Sequence, residues 1–170
     1  MESSLSRTDL TEPKSYRAIR EIRELSWARF LDSPPSKHRR SKTPDWAKTG
    51  LAYEKRVGRE LRTLLGPEQV LLSGKWIAFC DAHGRGLAQP DFLVVEPQRV
   101  FVFEVKLSHS LDARVQLQKL YGPLAASLFP ERACALVEVV KLMRGVEPAR
   151  MIYEPFEALC DGELSLWHFI

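Results

Sequence analysis

Residues 90–106 read PDFLVVEPQRVFVFEVK, and the reading of this stretch decides the fold. FLVV (92–95) follows Asp91 directly, and VFVFEVKL (100–107) carries Glu104 and Lys106 inside an otherwise aliphatic and aromatic run. Both runs are β-branched or aromatic, of strand length, and separated by the turn-like Glu96-Pro97-Gln98-Arg99, so together they predict a β-hairpin. A buried carboxylate or ammonium is costly unless it is paired or bound to a metal. Three such groups on adjacent strands point to a site where two acids hold a divalent cation with a lysine beside it. The competing reading, a sheet edge with solvated Glu and Lys, leaves too many large apolar neighbours on a wholly exposed face.

Side chains alternate along a strand, which places Glu104 and Lys106 on one face, about 6.6 Å apart. Phe103 and Val105 then point to the opposite face, while the Val105 carbonyl can still reach a cation. Adjacent strands lie about 4.8 Å apart, so Asp91 and Glu104 can converge on one ion. Upstream, Leu51 to Leu65 predicts a helix with Val57, Leu61, Leu64 and Leu65 as its apolar stripe. Glu54 falls within about 35° of the stripe's centre, and Gly58, one turn on, leaves room beside it. A first-turn acid that favours the helix dipole is the other reading of Glu54.

Pro90-Asp91, Glu104-Val105-Lys106 and the helical Gly50-Leu-Ala-Tyr-Glu54 together resemble the PD-(D/E)XK nuclease superfamily, over roughly residues 49–121. Pro44-Asp45 is a second PD with no such partner and no strand after it. The resemblance implies Mg²⁺-dependent hydrolysis of DNA phosphodiester bonds to 5′-phosphate products, with Mn²⁺ as a substitute. It implies Asp91, Glu104 and the Val105 carbonyl as metal ligands, Lys106 as the water-orienting or charge-stabilising group, and Glu54 as an outer or second-metal acid. The layout is similar to small stand-alone nucleases such as Holliday-junction resolvases and nuclease-related domains. Some branches place a Gln and a Tyr four apart on the helix that follows. Here Gln116, Gln118 and Tyr121 offer spacings of five and three, and Gln116, bordering that helix's apolar stripe of Ala113, Leu117, Leu120, Leu124 and Leu128, is the candidate for a site-facing amide. The alternative function is a non-catalytic nucleic-acid-binding or assembly module that retains the fold.

At 170 residues with 45% apolar content, the chain can bury one sizeable core. Cys80, Cys134 and Cys160 are odd in number and form no C-x-x-C pair, which argues for a reducing compartment and against a zinc site. The polar start MESSLSRTDLTEPK predicts no signal peptide, and no apolar run reaches membrane length, so a cytoplasmic location without a membrane partner is expected. No feature calls for a homo-oligomer. Tyr16 to Leu31 has a helical period and carries Arg17, Arg20, Arg23 and Arg29. Val70 to Ser73 and Trp76 to Phe79 predict one strand interrupted near Gly74, or two in close succession. Cys80 to Gly86 predicts a loop with Arg85 at its tip as a phosphate contact. Asp112 to Leu128 predicts a helix that Gly122-Pro123 kinks or splits, and CALVEVVKL (134–142) and LSLWHFI (164–170) predict further strands.

The expected architecture is α/β: a mixed central β-sheet flanked by helices, preceded by an N-terminal basic helical extension. Residues 1–48 form that extension and its linker, and 49–170 form the nuclease-like domain. The segment 33–48 (SPPSKHRRSKTPDWAK) holds five Lys or Arg against one Asp, while the full chain carries only +3. Its prolines suggest an extended strap along DNA, with Lys37, Arg39, Arg40 and Lys42 as phosphate contacts. Each phosphate contact removed should flatten the slope of log affinity against log salt by about 0.9 on duplex DNA. Changing all four to Ala is expected to weaken binding uniformly across sequences and lower that slope, measured by titration from low to moderate salt. An unchanged slope would make the segment a spacer.

Overall fold

The computed structural model describes residues 19–35, 45–108, 110–141 and 164–169. Their centre is β6 (Arg99–Lys106), eight residues whose middle six are buried. A strand covered on both faces reads as a continuous apolar run, and VFVF is one. On one side β6 pairs antiparallel with β5 (Phe92–Val95), Phe92 opposite Phe103; the Glu96–Arg99 turn closes this hairpin, with Glu96 N–H donating to the Arg99 carbonyl at 2.8 Å. On the other side it pairs parallel with β7 (Ala133–Lys141), which continues parallel to β8 (Leu164–Phe169). With β2 (Val70–Ser73) antiparallel to β5, the five-stranded sheet runs β2-β5-β6-β7-β8. It is the mixed sheet that the sequence predicts.

Helix α1 (Asp45–Leu64) covers one face. Its buried Tyr53, Val57 and Leu61 pack with Phe101, Phe103, Val105, Val137, Val139 and Trp167 in one cluster. The Trp167 ring meets Phe103 edge-on at 5.6 Å, so this tryptophan belongs to the core. The opposite face, with Leu93, Val100, Val102 and Leu136, packs against the helical segment 111–128 and against a second sheet. That sheet is antiparallel and ordered β1-β3-β4, from β1 (Trp27–Phe30), β3 (Ile77–Asp81) and β4 (Gly84–Ala88). Among the described residues, no helix is long and apolar enough to cross a membrane.

Residues 19–35 of the basic extension are not helical. Residues 19–26 form no helix and Trp27–Phe30 is a strand, paired with β3 from Trp27–Cys80 to Phe30–Ile77. Backbone donors here bond across the fold instead of along a helix: Ile22 to the Lys119 carbonyl, Ser26 to Cys80 and Leu31 to Trp76. Glu24, at φ 48°, stands in the left-handed region and breaks helical continuation. Ile22, Leu25, Ala28 and Phe30 all reach the core cluster, a set that satisfies a helical period at its start and a strand period at its end. The loop expected at Cys80–Gly86 is a hairpin in which β3 returns as β4 through Ala82 and His83. Asp81 Oδ1 accepts the His83 N–H at 2.9 Å and Gly84 takes φ +93°, the local chemistry of a tight turn.

Of the two readings of 70–79, two strands in close succession is the one found, and they belong to different sheets. β2 ends at Ser73, Gly74 (φ +60°) turns the chain, and β3 begins at Ile77. A second crossing between the sheets, from β4 to β5 through Gln89-Pro90-Asp91, lies alongside. The two are stitched together: Gly74 N–H donates to the Asp91 carbonyl (3.1 Å) and Gln89 Nε2 to the Gly74 carbonyl (2.8 Å). Gly58 does not leave room for Glu54, because the Phe92 ring fills it: a Cβ there would lie 2.7 Å from ring carbons. Phe92 is 2% exposed and cannot swing out. Gly58→Val is therefore expected to destabilise the fold by about 1–3 kcal/mol through overpacking, despite the better helix propensity of valine. Denaturant titration checks it; equal stability would mean that α1 can lift from the sheet without cost.

Candidate active site

Asp91 stands one residue before β5, where the continued register faces it toward Glu104. Its Oδ2 accepts the Val105 N–H at 2.7 Å, a bond that aims the carboxylate at the end of β6. Glu104 shares its face with Val100 and Val102, toward the 111–128 segment, and is 3% exposed. Lys106 Nζ donates to Glu104 Oε1 at 2.5 Å, while Glu104 Oε2 is buried and has no hydrogen-bond partner among the described residues. Val105 turns its side chain to the α1 cluster, as strand alternation requires. Glu54, half-buried on α1, lines a cleft of about 330 Å³ together with Gly50, Tyr53, Asp91 and Lys106. The sequence-predicted quartet of Glu54, Asp91, Glu104 and Lys106 is thus brought to one end of the sheet.

The charge balance of this place is lopsided. Burial, then the nearby Asp91 charge, pushes Glu104 up to about 7, against the pull of Lys106. The same two causes push Glu54 up to about 7. Asp91 is also raised by burial, with the Val105 N–H and the Lys106 ammonium opposing. Burial alone would lower Lys106, but Glu104, Asp91 and Glu138 outweigh it and hold the ammonium above its ordinary value. Three desolvated carboxyls around one ammonium leave an excess of negative charge that a cation would neutralise.

Two further residues belong to the setting. Glu138, fully buried on β7, lies in register with Glu104, and its Oε1 accepts the Ser110 N–H at 3.1 Å. It tethers the chain that leaves β6. An acid in the apolar run ALVEVV is the same signal that marks Glu104, and it was available in the sequence. Tyr121 is the other. The helix 111–128 is α2 (Leu111–Gln116), a π turn (Leu117–Tyr121) and α3 (Gly122–Leu128), so the interruption precedes Gly122-Pro123, and the helix runs on through that pair. A π turn brings residues five apart onto one face. Gln116 Nε2 accordingly reaches the Tyr121 hydroxyl at 2.5 Å, and that hydroxyl donates to the Gln89 carbonyl at 3.0 Å, two residues before Asp91. Burial, then the Glu104 and Asp91 charges, raise the Tyr121 hydroxyl far above its ordinary value.

Gln116 therefore acts through Tyr121. Arg85 is exposed on β4; its backbone carbonyl accepts from Arg20 Nη1 at 3.2 Å, and it does not line the cleft. Asp81 is occupied structurally: the Arg20 guanidinium pairs with it and holds its carboxyl below the usual range. Lys37, Arg39, Arg40 and Lys42 lie outside the described residues.

Asp91 and Glu104 are hard oxygen donors of the kind that suits Mg²⁺, with the Val105 carbonyl as a third. The unpartnered, buried Glu104 Oε2 fits a cation. Among the described residues, no group of three or more His, Cys, Asp or Glu side chains closes a site on side chains alone. Carbonyl and water would complete the ligand set, as is usual for Mg²⁺.

A carboxyl whose folded-state value is raised destabilises the fold as pH climbs from its unfolded value to its folded one. Glu54 moves from 4.5 to about 7, so its cost is absent near pH 4 and complete above about 7. Without divalent ions, Glu54→Gln is expected to match the parent near pH 4 and exceed it by roughly 1–3 kcal/mol at pH 8, after allowance for partial exposure. Denaturation in EDTA across this range tests it; a pH-independent difference would show that Glu54 is well solvated. No protein family, curated protein or solved structure matches the chain.

Proposed function

We propose that the chain is a metal-dependent deoxyribonuclease of the PD-(D/E)XK type, hydrolysing phosphodiester bonds in DNA to 5′-phosphate products. One observation carries the reading: Asp91, just before β5, stands in continued register with Glu104 on β6, Lys106 is bonded to Glu104, and a buried Glu104 oxygen has no hydrogen-bond partner among the described residues. Asp91, Glu104 and the Val105 carbonyl would hold Mg²⁺, or Mn²⁺ in its place. Such an ion supplies Lewis-acid charge at the phosphoryl group and makes water a better nucleophile at neutral pH.

The remaining work falls to side chains. Lys106 carries its ammonium at the cleft wall, placed to donate to the attacking water or to a phosphate oxygen as negative charge develops. Glu54, on the cleft wall beside Asp91, is the acid placed to exchange a proton with water or substrate there. Tyr121, fixed by Gln116, holds the carbonyl of Gln89 and with it the approach to Asp91. Gln116 and Tyr121 are positioning residues. Glu138 secures the exit from β6 through Ser110.

The test is incubation of the purified chain with supercoiled, linear, single-stranded and four-way-junction DNA, in Mg²⁺, Mn²⁺ or EDTA. Cleavage is expected with either metal and not in EDTA. Asp91→Ala or Glu104→Ala should lower it by about 10³-fold or more, with the fold intact by circular dichroism. Lys106→Met should reduce turnover strongly with little loss of DNA affinity. Full cleavage by the Asp91 or Glu104 variant would end the reading.

A further inference from the structure

Glu54 lines two clefts. Besides the one it shares with Asp91 and Lys106, a second of about 520 Å³ lies between α1 and the β2–β5 edge of the sheet. Its walls carry Lys55, Arg59 and Arg62 from the helix and Ser73 from the end of β2. At 1.5 Å rise per residue, Arg59 stands about 6 Å beyond Lys55 and Arg62 about 4.5 Å beyond Arg59, all on one stripe. All three cations are exposed, and none of them forms a salt bridge among the described residues. Of the residues in the cleft wall, Glu54 is the one acid, at the end where the two clefts join. A solvated helix face is usually convex and interleaves both signs of charge; this one is concave, carries three cations in a row, and has its acid at one end, Glu54.

We infer that this cleft is the track for the phosphate backbone of duplex DNA, leading from the cutting site along α1 toward its C-terminus. The proposal rests on the nuclease reading for its direction and adds the place where the substrate lies. Duplex is favoured over single strands by what the cleft lacks. Its aromatic ring, Phe92, is 2% exposed and packed against Gly58, so no platform is offered for an unstacked base. A duplex presents phosphates outward, and a row of cations with a serine hydroxyl matches that surface. Such contacts position DNA without reading its sequence.

The experiment measures binding of the full chain to a fluorescent DNA duplex in EDTA, so that cleavage does not intervene, from low to moderate salt. The variant is Lys55→Gln/Arg59→Gln/Arg62→Gln, which keeps helix propensity and touches no core residue. Without these three phosphate contacts the log–log salt slope should flatten by about 2.7 and affinity should weaken by about tenfold or more, independent of sequence. An unchanged slope overturns the track. So does a parent that prefers single-stranded DNA, or one that binds polyglutamate as well as duplex with both abolished together in the variant; the latter would mark a surface for acidic proteins. Failure of the function reads differently: a parent that binds duplex through these residues yet never cleaves with Mg²⁺ or Mn²⁺ keeps the track and loses the nuclease.

Discussion

The bond from the Val105 N–H to the Asp91 carboxylate sits where β5 has just left β6, and much of the site's geometry follows from it. A strand that ends beside a fully buried neighbour leaves backbone donors to satisfy, and an unmet donor is costly there. Asp91 meets one of them with its side chain. In doing so it substitutes for the next rung of the ladder and stays level with Glu104. The register of the hairpin, Phe92 opposite Phe103, thus extends to Asp91 opposite Glu104. A slip of one residue would turn Glu104 to the α1 face and dismantle both the core and the site.

Around that anchor the protein concentrates charge where solvent cannot relieve it. Glu104 and Glu138 are neighbours on parallel strands, both buried, and Asp91 and Glu54 approach from two other elements. Lys106 is the cation they share. Such a cluster opposes folding and is retained against that opposition, which is the usual signature of a site where charge does chemistry. An ion pair elsewhere, Arg20 with Asp81, shows the contrast: there the charges match, and the carboxyl is lowered instead of raised.

What could be read from the sequence was local. VFVFEVK announces a buried strand with two misplaced charges because period and burial coincide within one short run. The Glu54 helix is legible because its apolar stripe recurs at helical spacing. Elements that depend on distant partners were harder to read. Ile22 to Phe30 carries apolar residues that suit two periods, and the choice of strand is made by pairing with Ile77 to Cys80 and by the backbone turn at Glu24. Gln116 and Tyr121, five apart, cannot share a face of a regular α-helix; only the π turn joins them, and nothing in LQKLY announces it. Glu138 carried the right signal but lacked a partner motif to single it out.

The two crossings between the sheets, at Gly74 and at Gln89 to Asp91, run side by side and are sewn together by backbone and amide bonds. Mechanically this is a double-leaved hinge, and Asp91 is mounted on its pin. The small sheet and the large one each hold one end of both leaves, so the position of that carboxylate depends on both sheets, whereas Glu104 is held between neighbouring strands on β6. Alignment of the two acids is then a gauge of how the sheets are seated. Tyr121, gripping the Gln89 carbonyl from a third element, acts as the set screw.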